Sequence, residues 1–271
     1  MSARDMLLGR DTPVVDTYAP DVLYPLPRAP GRAELGLTGD LPFSGVDLWH
    51  AYEMSWLDAG GRPLARVGRF SMPASAPNMV ESKSFKLYLN SLNNQRFASE
   101  SALIATVTSD LERVVGQGVA LELLAADDPA LAGAALDGTC LDALPVAVPD
   151  GGPAAAMLRA SSARRREEKL YSHLLRSLCP VTGQPDWATV WLHYRGAALE
   201  HETLLRYLLA YRRHQGFHEQ CVERMFCDIR HSCQPEFLHI QAFYTRRGGL
   251  DINPWRSTDP AGTALPRLNR Q

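Results

Sequence analysis

Hydrophobic positions recur along the chain with two different periods, and the change of period separates strands from helices. Leu48, Tyr52, Met54 and Trp56 fall at even spacings in VDLWHAYEMSWL, which predicts a strand with one buried face. A turn-like AGGRP follows, and a second strand is predicted to run to Met72.

Helical spacing begins after this pair of strands. Apolar residues recur three and four positions apart over residues 81–97, which predicts a helix on the stripe Phe85, Tyr88, Leu89 and Leu92. A second helix is predicted from Glu100 to Val115, and GVALELL after it is predicted to be a strand.

The second half of the chain repeats this order of elements. WATVWLHY is predicted to be a strand, HETLLRYLLAYRRHQGF and HEQCVERMFCDIRHSC two helices, and FLHIQAFYT a strand. A shift of 120 positions superposes the first helices of the halves, pairing Gln95 with Gln215 and Phe97 with Phe217. We therefore predict a duplicated β-β-α-α-β unit.

Under this shift the polar residues of the two halves differ. Glu81, Ser82 and Lys83 stand opposite His201, Glu202 and Thr203, and His218 and Glu219 stand opposite Ala98 and Ser99. A single site built from different residues of the two halves would explain this asymmetry.

Two segments have the composition of connections. Residues 1–45 are rich in Pro, Gly and Arg, and the stretch from Ala125 to Ala163 is rich in Ala, Gly and Pro. We expect an arm at 1–45, a first module at 46–125, a linker or crossover at 126–163 and a second module at 164–271. The fold class expected is α+β, with antiparallel sheets backed by helices.

Composition and charge argue against several classes of function. The 271 residues include 28 Lys and Arg against 30 Asp and Glu, which argues against direct binding to nucleic acid or an acidic membrane surface. No apolar run is long enough for a membrane helix, and the amino terminus does not resemble a secretory signal. Five cysteines without a CxxC pair argue against a disulfide framework. We expect a soluble protein of the reducing cytoplasm.

Several familiar sites are missing from the sequence. It contains neither GxGxxG after a strand nor GxxxxGK[ST], and HEQCV lacks the second His of HExxH. The spacings of His214, His218 and Cys221 would allow them to bind zinc. A pair of histidines on an Arg-rich helix is, however, more often solvated or at the edge of a core. We expect no metal.

Cys179 lies in the turn-like segment SLCPVTGQPDW, and Asp186 follows seven positions later. A thiolate can attack an electrophilic carbon while a neighbouring acid protonates the heteroatom. The alternative is a buried structural cysteine and an ordinary turn aspartate, which is the commoner situation.

Two further motifs suit anions. ESKSFKLYLNS opens a helix at which free N–H groups and Lys83 could bind an anion, although simple capping by Glu and Ser explains it equally well. YTRRGGLDINPW places Arg246 and Arg247 beside two glycines, which suits a phosphate, although a solvated turn is commoner.

Together, ESKSFKLYLNS, SLCPVTGQPDW, FHEQCVER and YTRRGGLDINPWRS closely resemble the long, two-module form of the NADPH-dependent 7-cyano-7-deazaguanine reductases. These are the nitrile reductases of queuosine biosynthesis, members of the tunnelling-fold superfamily that also contains type I GTP cyclohydrolase. The resemblance covers nearly all of the chain beyond about Leu41. It implies tandem tunnelling-fold modules of β-β-α-α-β-β type, a homodimer and no metal.

The resemblance also implies roles for individual residues. Cys179 would attack the nitrile carbon of 7-cyano-7-deazaguanine to form a covalent thioimide, and Asp186 would protonate the nitrile nitrogen. The positions that would contact the substrate are Glu81, Ser82, Lys83, His218 and Glu219. Those that would contact NADPH are Lys83, Ser84, Arg247 and Gly248.

Two other functions remain open on the residues alone. A Cys-dependent hydrolase or nitrilase-like enzyme would use Cys179 and Asp186 similarly, but water would complete its reaction. A catalytically inactive purine- or pterin-binding module would keep the fold and form no covalent adduct. Oxidation of NADPH that depends on the nitrile distinguishes the reductase from both.

Overall fold

The computed structural model describes residues 15–271, which form two compact units of α+β structure. Unit 1 contains residues 15–31, Asp47–Ala132 and Arg246–Ile252, and unit 2 contains Arg32–Val46, Gly133–Thr245 and Asn253–Gln271. The amino-terminal residues on which the secretory-signal expectation rests, and the first part of the predicted arm, lie outside the described residues.

Ten strands and five α-helices make up the described chain. The strands are β1 (Pro25–Pro27), β2 (Ser44–Leu57), β3 (Pro63–Pro73), β4 (Asn78–Val80), β5 (Ala120–Leu124), β6 (Thr139–Cys140), β7 (Ala160–Leu178), β8 (Pro185–Leu199), β9 (Phe237–Tyr244) and β10 (Leu250–Ser257). The helices are α1 (Ala29–Glu34), α2 (Ser82–Ser91), α3 (Glu100–Val115), α4 (His201–Leu209) and α5 (His218–Cys233).

Unit 1 is built on the neighbouring strands β5, β3 and β2, with α2 and α3 packed against them. The rings of Trp49 on β2 and Phe70 on β3 both meet Phe85 of α2 edge-on, with centroids 5.7 and 5.0 Å away. All three rings are buried. The helical stripe predicted from the sequence is therefore the face of α2 that covers the sheet.

Unit 2 is built on β9, β8, β7 and β6 together with the end of β10, with α4 and α5. These strands are antiparallel except the two-residue β6, which runs parallel to β7. The buried Glu223 of α5 pairs with Arg256 at 2.9 Å and with Arg32 at 2.7 Å. This ion pair thereby ties Arg32, a residue of α1, to α5.

The structure confirms most of the predicted elements. α3 and α5 have the predicted bounds, and β5, β8 and β9 lie where strands are predicted. The prediction for α2 is wrong at its end, because the helix stops at Ser91 rather than at residue 97. Beyond it the backbone bonds to β2, where Leu57 donates to the Gln95 carbonyl and accepts from the Phe97 N–H. These bonds replace further helical turns.

Most of β7 and all of β10 were missed as strands. β7 begins at Ala160, inside the segment expected to be a linker, and β10 contains the NPW of a segment interpreted as a turn. The rest of the segment between Ala125 and Ala163 contains only β6 and the short 3-10 turns Pro129–Leu131 and Ala155–Met157.

The order β-β-α-α-β recurs in both halves, but the shift of 120 residues is slightly too long. Glu81 precedes α2 as its N-cap, and Glu200 stands in the same place before α4. The bridge between Leu57 and Arg96 is likewise matched by one between Leu178 and Gln215. The two N-cap residues differ by 119 positions, as do the bridge partners Arg96 and Gln215, so Glu200 rather than His201 is the counterpart of Glu81.

Among residues 15–271, no helix has the length and apolar character needed to cross a membrane.

Candidate active site

Cys179 directly follows β7, where the β7–β8 hairpin turns. Its N–H donates to the Gln184 carbonyl at 2.8 Å, and its carbonyl accepts from the Gly183 N–H at 2.9 Å. The side chain is buried, with 2% exposure. The turn predicted around SLCPVTGQPDW is thus a tight hairpin loop held by backbone bonds on both sides of the cysteine.

Asp186 stands across the hairpin, in register with Ser177. Cys179 is two residues beyond Ser177, so it lies diagonally across the hairpin from Asp186. The Asp186 carboxyl is buried, with 6% exposure. A thiol and an acid therefore occupy diagonal positions of one hairpin.

The beginning of α5 supplies the other polar groups of unit 2. His218 Nε2 lies 3.3 Å from Asp186 Oδ2, and Glu219 beside it is buried, with 4% exposure. The ring of His218 is stacked on that of Tyr244, with centroids 3.6 Å apart and planes 9° from parallel. This stack fixes the plane of the imidazole that faces Asp186.

Tyr244 was missed by the sequence analysis. It lies at the end of β9, in an apolar strand where a tyrosine is most simply interpreted as core. Burial raises its pKa well above the ordinary value, so it stays a neutral phenol. No pattern in the sequence indicates that its ring would face His218.

Three other cysteines of unit 2 are poor nucleophiles. Burial raises the pKa of Cys221 to about 12 and the pKa of Cys227 and Cys233 to about 11, so all three are thiols at neutral pH. In residues 15–271, which include all five cysteines, no disulfide is present. His214, His218 and Cys221 do not gather three ligand atoms within 4.8 Å of one another in the described chain.

In unit 1, the motif ESKSF caps a helix. Glu81 is buried, and its two carboxylate oxygens accept the N–H groups of Lys83 and Ser84 at 2.9 and 2.7 Å. Ser84 Oγ donates to the Glu81 carbonyl at 2.7 Å and accepts from the Tyr24 N–H at 3.0 Å. The helix start is therefore capped as expected, but the cap is Glu81, whereas the sequence suggested serine as the cap with Glu81 in the first turn. The side chains of Ser82 and Lys83 remain partly exposed.

The RRGG segment forms a two-residue turn before β10. Arg247 and Leu250 exchange backbone hydrogen bonds of 3.0 and 3.1 Å. Gly248 and Gly249 between them have φ of +59° and +78°. Two successive residues in the left-handed region give a type I′ turn, which favours glycine at both positions.

Arg246 is held in place beside this turn. Its guanidinium lies 3.3 Å from the centre of the Tyr52 ring, and the Tyr52 hydroxyl donates to Asp251 at 2.5 Å. Asp251 also bonds His50 Nδ1 at 2.8 Å. Arg246, the neighbour of the expected cofactor residue Arg247, is therefore held by Tyr52, which is itself held through Asp251 and His50.

A cavity of about 240 Å³ in unit 1 opens between α2 and the turn. Its polar lining includes Glu53 and Lys86, which pair at 3.1 Å, and the backbone of Gly248 and Gly249. A Cβ on Gly248 would meet Lys86 Nζ at 3.9 Å. The cavity thus brings the glycine turn within reach of a lysine of α2.

The structure groups the predicted site residues by unit. Cys179, Asp186, His218 and Glu219 lie together around the β7–β8 hairpin of unit 2. Those in unit 1 are at the start of α2 and in the RRGG turn, namely Glu81, Ser82, Lys83, Ser84, Arg247 and Gly248.

Comparison with known protein families gives two matches. Residues 14–123 match the family described as "Nitrile reductase, 7-cyano-7-deazaguanine-reductase N-term", and residues 185–262 match the one described as "QueF-like protein". The two matches occur in order and together span more than half of the chain. This chain belongs to the two-module 7-cyano-7-deazaguanine reductase family.

Membership of the reductase family makes the chain one of the nitrile reductases of queuosine biosynthesis. Domains of this family have the tunnelling fold, in agreement with the antiparallel sheets and their helices. A nitrile reductase is an oxidoreductase and needs a reductant. The family, the fold class and the resemblance stated from the sequence are thereby confirmed.

The two matched segments contain all but one of the predicted site residues. The first includes Glu81 to Ser84, and the second includes Asp186, His218 and Arg247. Cys179 lies between them, six residues before the second match begins. For the reductase, the position of this cysteine in the hairpin is thus an observation independent of the family match.

The residues of unit 1 fit an anionic nucleotide. Arg246, Arg247 and Lys86 offer positive charge around the glycine turn, and a guanidinium can pair with phosphate through two hydrogen bonds. The cavity lies just below the volume of about 300 Å³ at which drug-sized ligand sites begin. It would therefore hold one end of a dinucleotide rather than all of it.

Proposed function

We propose that this reductase converts the nitrile of 7-cyano-7-deazaguanine into an aminomethyl group, with NADPH as the reductant and a thioimide on Cys179 as the intermediate. The observation that carries the proposal is the buried cluster of Cys179, Asp186 and His218 on one hairpin and one helix terminus. A thiol that formed part of the apolar core alone would not need an acid and an imidazole beside it.

The role proposed for Cys179 is to activate the nitrile, because a nitrile accepts hydride poorly. Cys179 in its thiolate form adds through sulfur to the nitrile carbon, one C–N π bond becomes a lone pair on nitrogen, and Asp186 in its carboxylic acid form protonates that nitrogen. The product is a thioimide, whose C=N carbon accepts hydride more readily. His218, 3.3 Å from the carboxyl, is placed to exchange a proton with Asp186 between steps.

Two hydrides then reach the carbon in succession, each supplied by one NADPH. After the first, the C–S bond breaks, the sulfur leaves as thiolate and an imine remains. The second hydride and a proton give the amine, and Cys179 returns to its starting state.

The substrate contacts follow from the chemistry of a guanine-like edge. A carboxylate accepts both the ring N–H and the exocyclic amine, so Glu81 and Glu219 are proposed to hold the ring. Ser82, Lys83 and His218 complete the proposed substrate contacts. Lys83, Ser84, Arg247 and Gly248 are proposed to contact NADPH, with the Ser84 hydroxyl already bonded within the protein.

The test is the stoichiometry of NADPH consumption with 7-cyano-7-deazaguanine as the only other substrate. We expect two NADPH oxidised for each nitrile, no oxidation without the nitrile and none in Cys179→Ala. Cys227→Ser is the matched control, since Cys227 is a protonated thiol, and it should retain activity. Nitrile consumed without NADPH oxidation would indicate a hydrolase instead, and no turnover with no adduct would indicate a binding module.

Two further properties belong to the same proposal. Tunnelling-fold sheets close by association, so we propose a homodimer. A reactive thiol suits the reducing cytoplasm, so we propose that the enzyme acts there. Sedimentation equilibrium should give twice the chain mass, and a single-chain mass at micromolar concentration would contradict the dimer.

A further inference from the structure

A mixed cluster of ligand-type side chains lies at the edge of unit 2, on β6 and β7. Cys140 ends β6, Asp142 follows two residues later, and His173 lies on β7. The parallel pairing of Cys140 with Tyr171, and the 2.9 Å bond from the Leu141 N–H to the Tyr171 carbonyl, fix the two strands together. The thiol sulfur, a carboxylate oxygen and an imidazole nitrogen all lie within 4.8 Å of one another.

Asp142 is oriented by hydrogen bonds from the neighbouring strand. Its Oδ1 accepts from Ser172 Oγ at 2.6 Å, and its Oδ2 accepts from the His173 N–H at 3.1 Å. The His173 N–H also donates to Oδ1 at 3.3 Å, so these bonds hold the carboxylate against the strand while Oδ2 keeps a lone pair. A carboxylate fixed in this way loses little freedom when it binds a cation.

His173 is oriented from the opposite side. Its Nδ1 lies 2.8 Å from Oγ1 of Thr189, a residue of β8 with 1% exposure. This contact leaves Nε2 as the ring nitrogen that can bind an ion. Histidine ligands of metals commonly have such a partner on the second nitrogen, which fixes the ring and its tautomer.

We propose that Cys140, Asp142 and His173 form a surface site for a divalent transition-metal ion. One thiolate, one imidazole and one carboxylate are a donor set that favours Zn²⁺, with water as the fourth ligand. In tetrahedral geometry, zinc bonds of about 2.0–2.3 Å place two ligand atoms on one ion about 3.5 Å apart. Cys140 is exposed, so a small rotation of its side chain closes the remaining gap.

The site would fasten β6 to β7, the strand that leads to Cys179. It requires neither the nitrile nor NADPH, so it is independent of the proposed function. From the sequence we expect no metal, because only His214, His218 and Cys221 have suggestive spacings. Cys140 falls in the expected linker, and the strand β7 that brings His173 beside it is not predicted from the sequence.

The test uses Co²⁺ alone as the probe, added to the reduced, metal-free full-length chain. We expect a thiolate-to-cobalt charge-transfer band that Zn²⁺ removes by competition. Cys140→Ser should abolish the band, and Thr189→Val should lower Co²⁺ affinity about 10–100-fold. Cys227→Ser is the matched control and should keep the band.

Absence of a charge-transfer band in the wild-type chain would overturn the proposal. So would a band that survives Cys140→Ser or disappears in Cys227→Ser, because either result would place the thiolate elsewhere. Cys140 is exposed, so its replacement by serine leaves the core intact, and a far-ultraviolet circular dichroism spectrum verifies the fold.

Discussion

At the scale of single residues, Asp186 is the group whose role the geometry makes most testable. Its carboxyl is buried beside His218, and the residue lies diagonally across the hairpin from Cys179. Asp186→Asn keeps the size of the side chain but cannot deliver a proton to the nitrile nitrogen. We expect turnover to fall about 10²–10⁴-fold, measured as kcat, with substrate binding in the Cys179→Ala background little changed.

The matched control for that variant is Asp137→Asn, since Asp137 is also in unit 2 but pairs with Lys169 at the surface. Its kcat should stay at the wild-type value. Near wild-type turnover in Asp186→Asn would show that another group supplies the proton.

A second residue, Arg247, tests the proposed cofactor site. It begins the type I′ turn next to the cavity lined by Lys86. Arg247→Ala removes a charge that can pair with phosphate, so the KM for NADPH should rise while thioimide formation stays intact. Arg62→Ala, at an exposed ion pair of unit 1, should leave the KM unchanged. An unchanged KM in Arg247→Ala would make RRGG an ordinary solvated turn.

The site could be predicted from the sequence only in part. A cysteine in a turn with an acid seven residues later indicated covalent chemistry, and the four motifs together indicated the family. The stack of His218 on Tyr244 was not predictable, because it depends on where α5 crosses β9. The cap formed by Glu81 was weighed against anion binding, and only the hydrogen bonds decide between them.

At the scale of elements, the N-termini of α2 and α4 form a natural comparison. Glu81 caps α2 with two hydrogen bonds, whereas Glu200, at the same place before α4, makes no side-chain cap bond. Glu81→Gln can accept only one of the two N–H groups and loses the charge that complements the helix dipole. We expect the free energy of unfolding to fall by about 1 kcal/mol.

Glu200→Gln is the control and should change the free energy of unfolding by much less. Urea denaturation of both variants measures the difference. Equal losses in the two variants would mean that the cap of α2 contributes nothing specific. Substrate binding by Glu81→Gln is measured separately, since a loss there reports the proposed contact with the ring.

Two long strands, β7 and β10, were missed for different reasons. In β7 the register shifts between Ser161 and Arg165 and between Ser172 and Leu175, which breaks the two-residue period. In β10 all eight residues are buried and Pro254 interrupts the run, so no alternation remains to be recognised. Helices α3 and α5 keep their apolar stripes over their whole length, and their bounds were predicted correctly.

At the scale of the whole molecule, stability should depend on pH through buried histidines. Burial, helped by the nearby His193, lowers the pKa of His239 to about 4. In an unfolded chain the pKa of histidine is about 6.5. Between the folded and unfolded pKa values, the unfolded state therefore binds more protons than the folded state. The free energy of unfolding should therefore fall as the pH falls from about 6.5 to about 4.

His239→Phe removes the titrating ring but keeps an aromatic group against Trp255, on which His239 is stacked. Between about pH 6.5 and about pH 4, its free energy of unfolding should fall by up to roughly 3 kcal/mol less than that of the wild type. The lowered pKa of His214 acts in the same direction, so some slope remains. Identical slopes in His239→Phe and wild type would show that His239 does not contribute.

Cys179 is proposed to form a covalent bond to the nitrile carbon. Intact-mass spectrometry of the protein mixed with 7-cyano-7-deazaguanine, without NADPH, detects that bond. We expect one substrate mass added to each wild-type chain and to each Cys227→Ser chain, and none added to Cys179→Ala. An adduct that persists in Cys179→Ala, or no adduct on a wild-type enzyme that turns over, would contradict it.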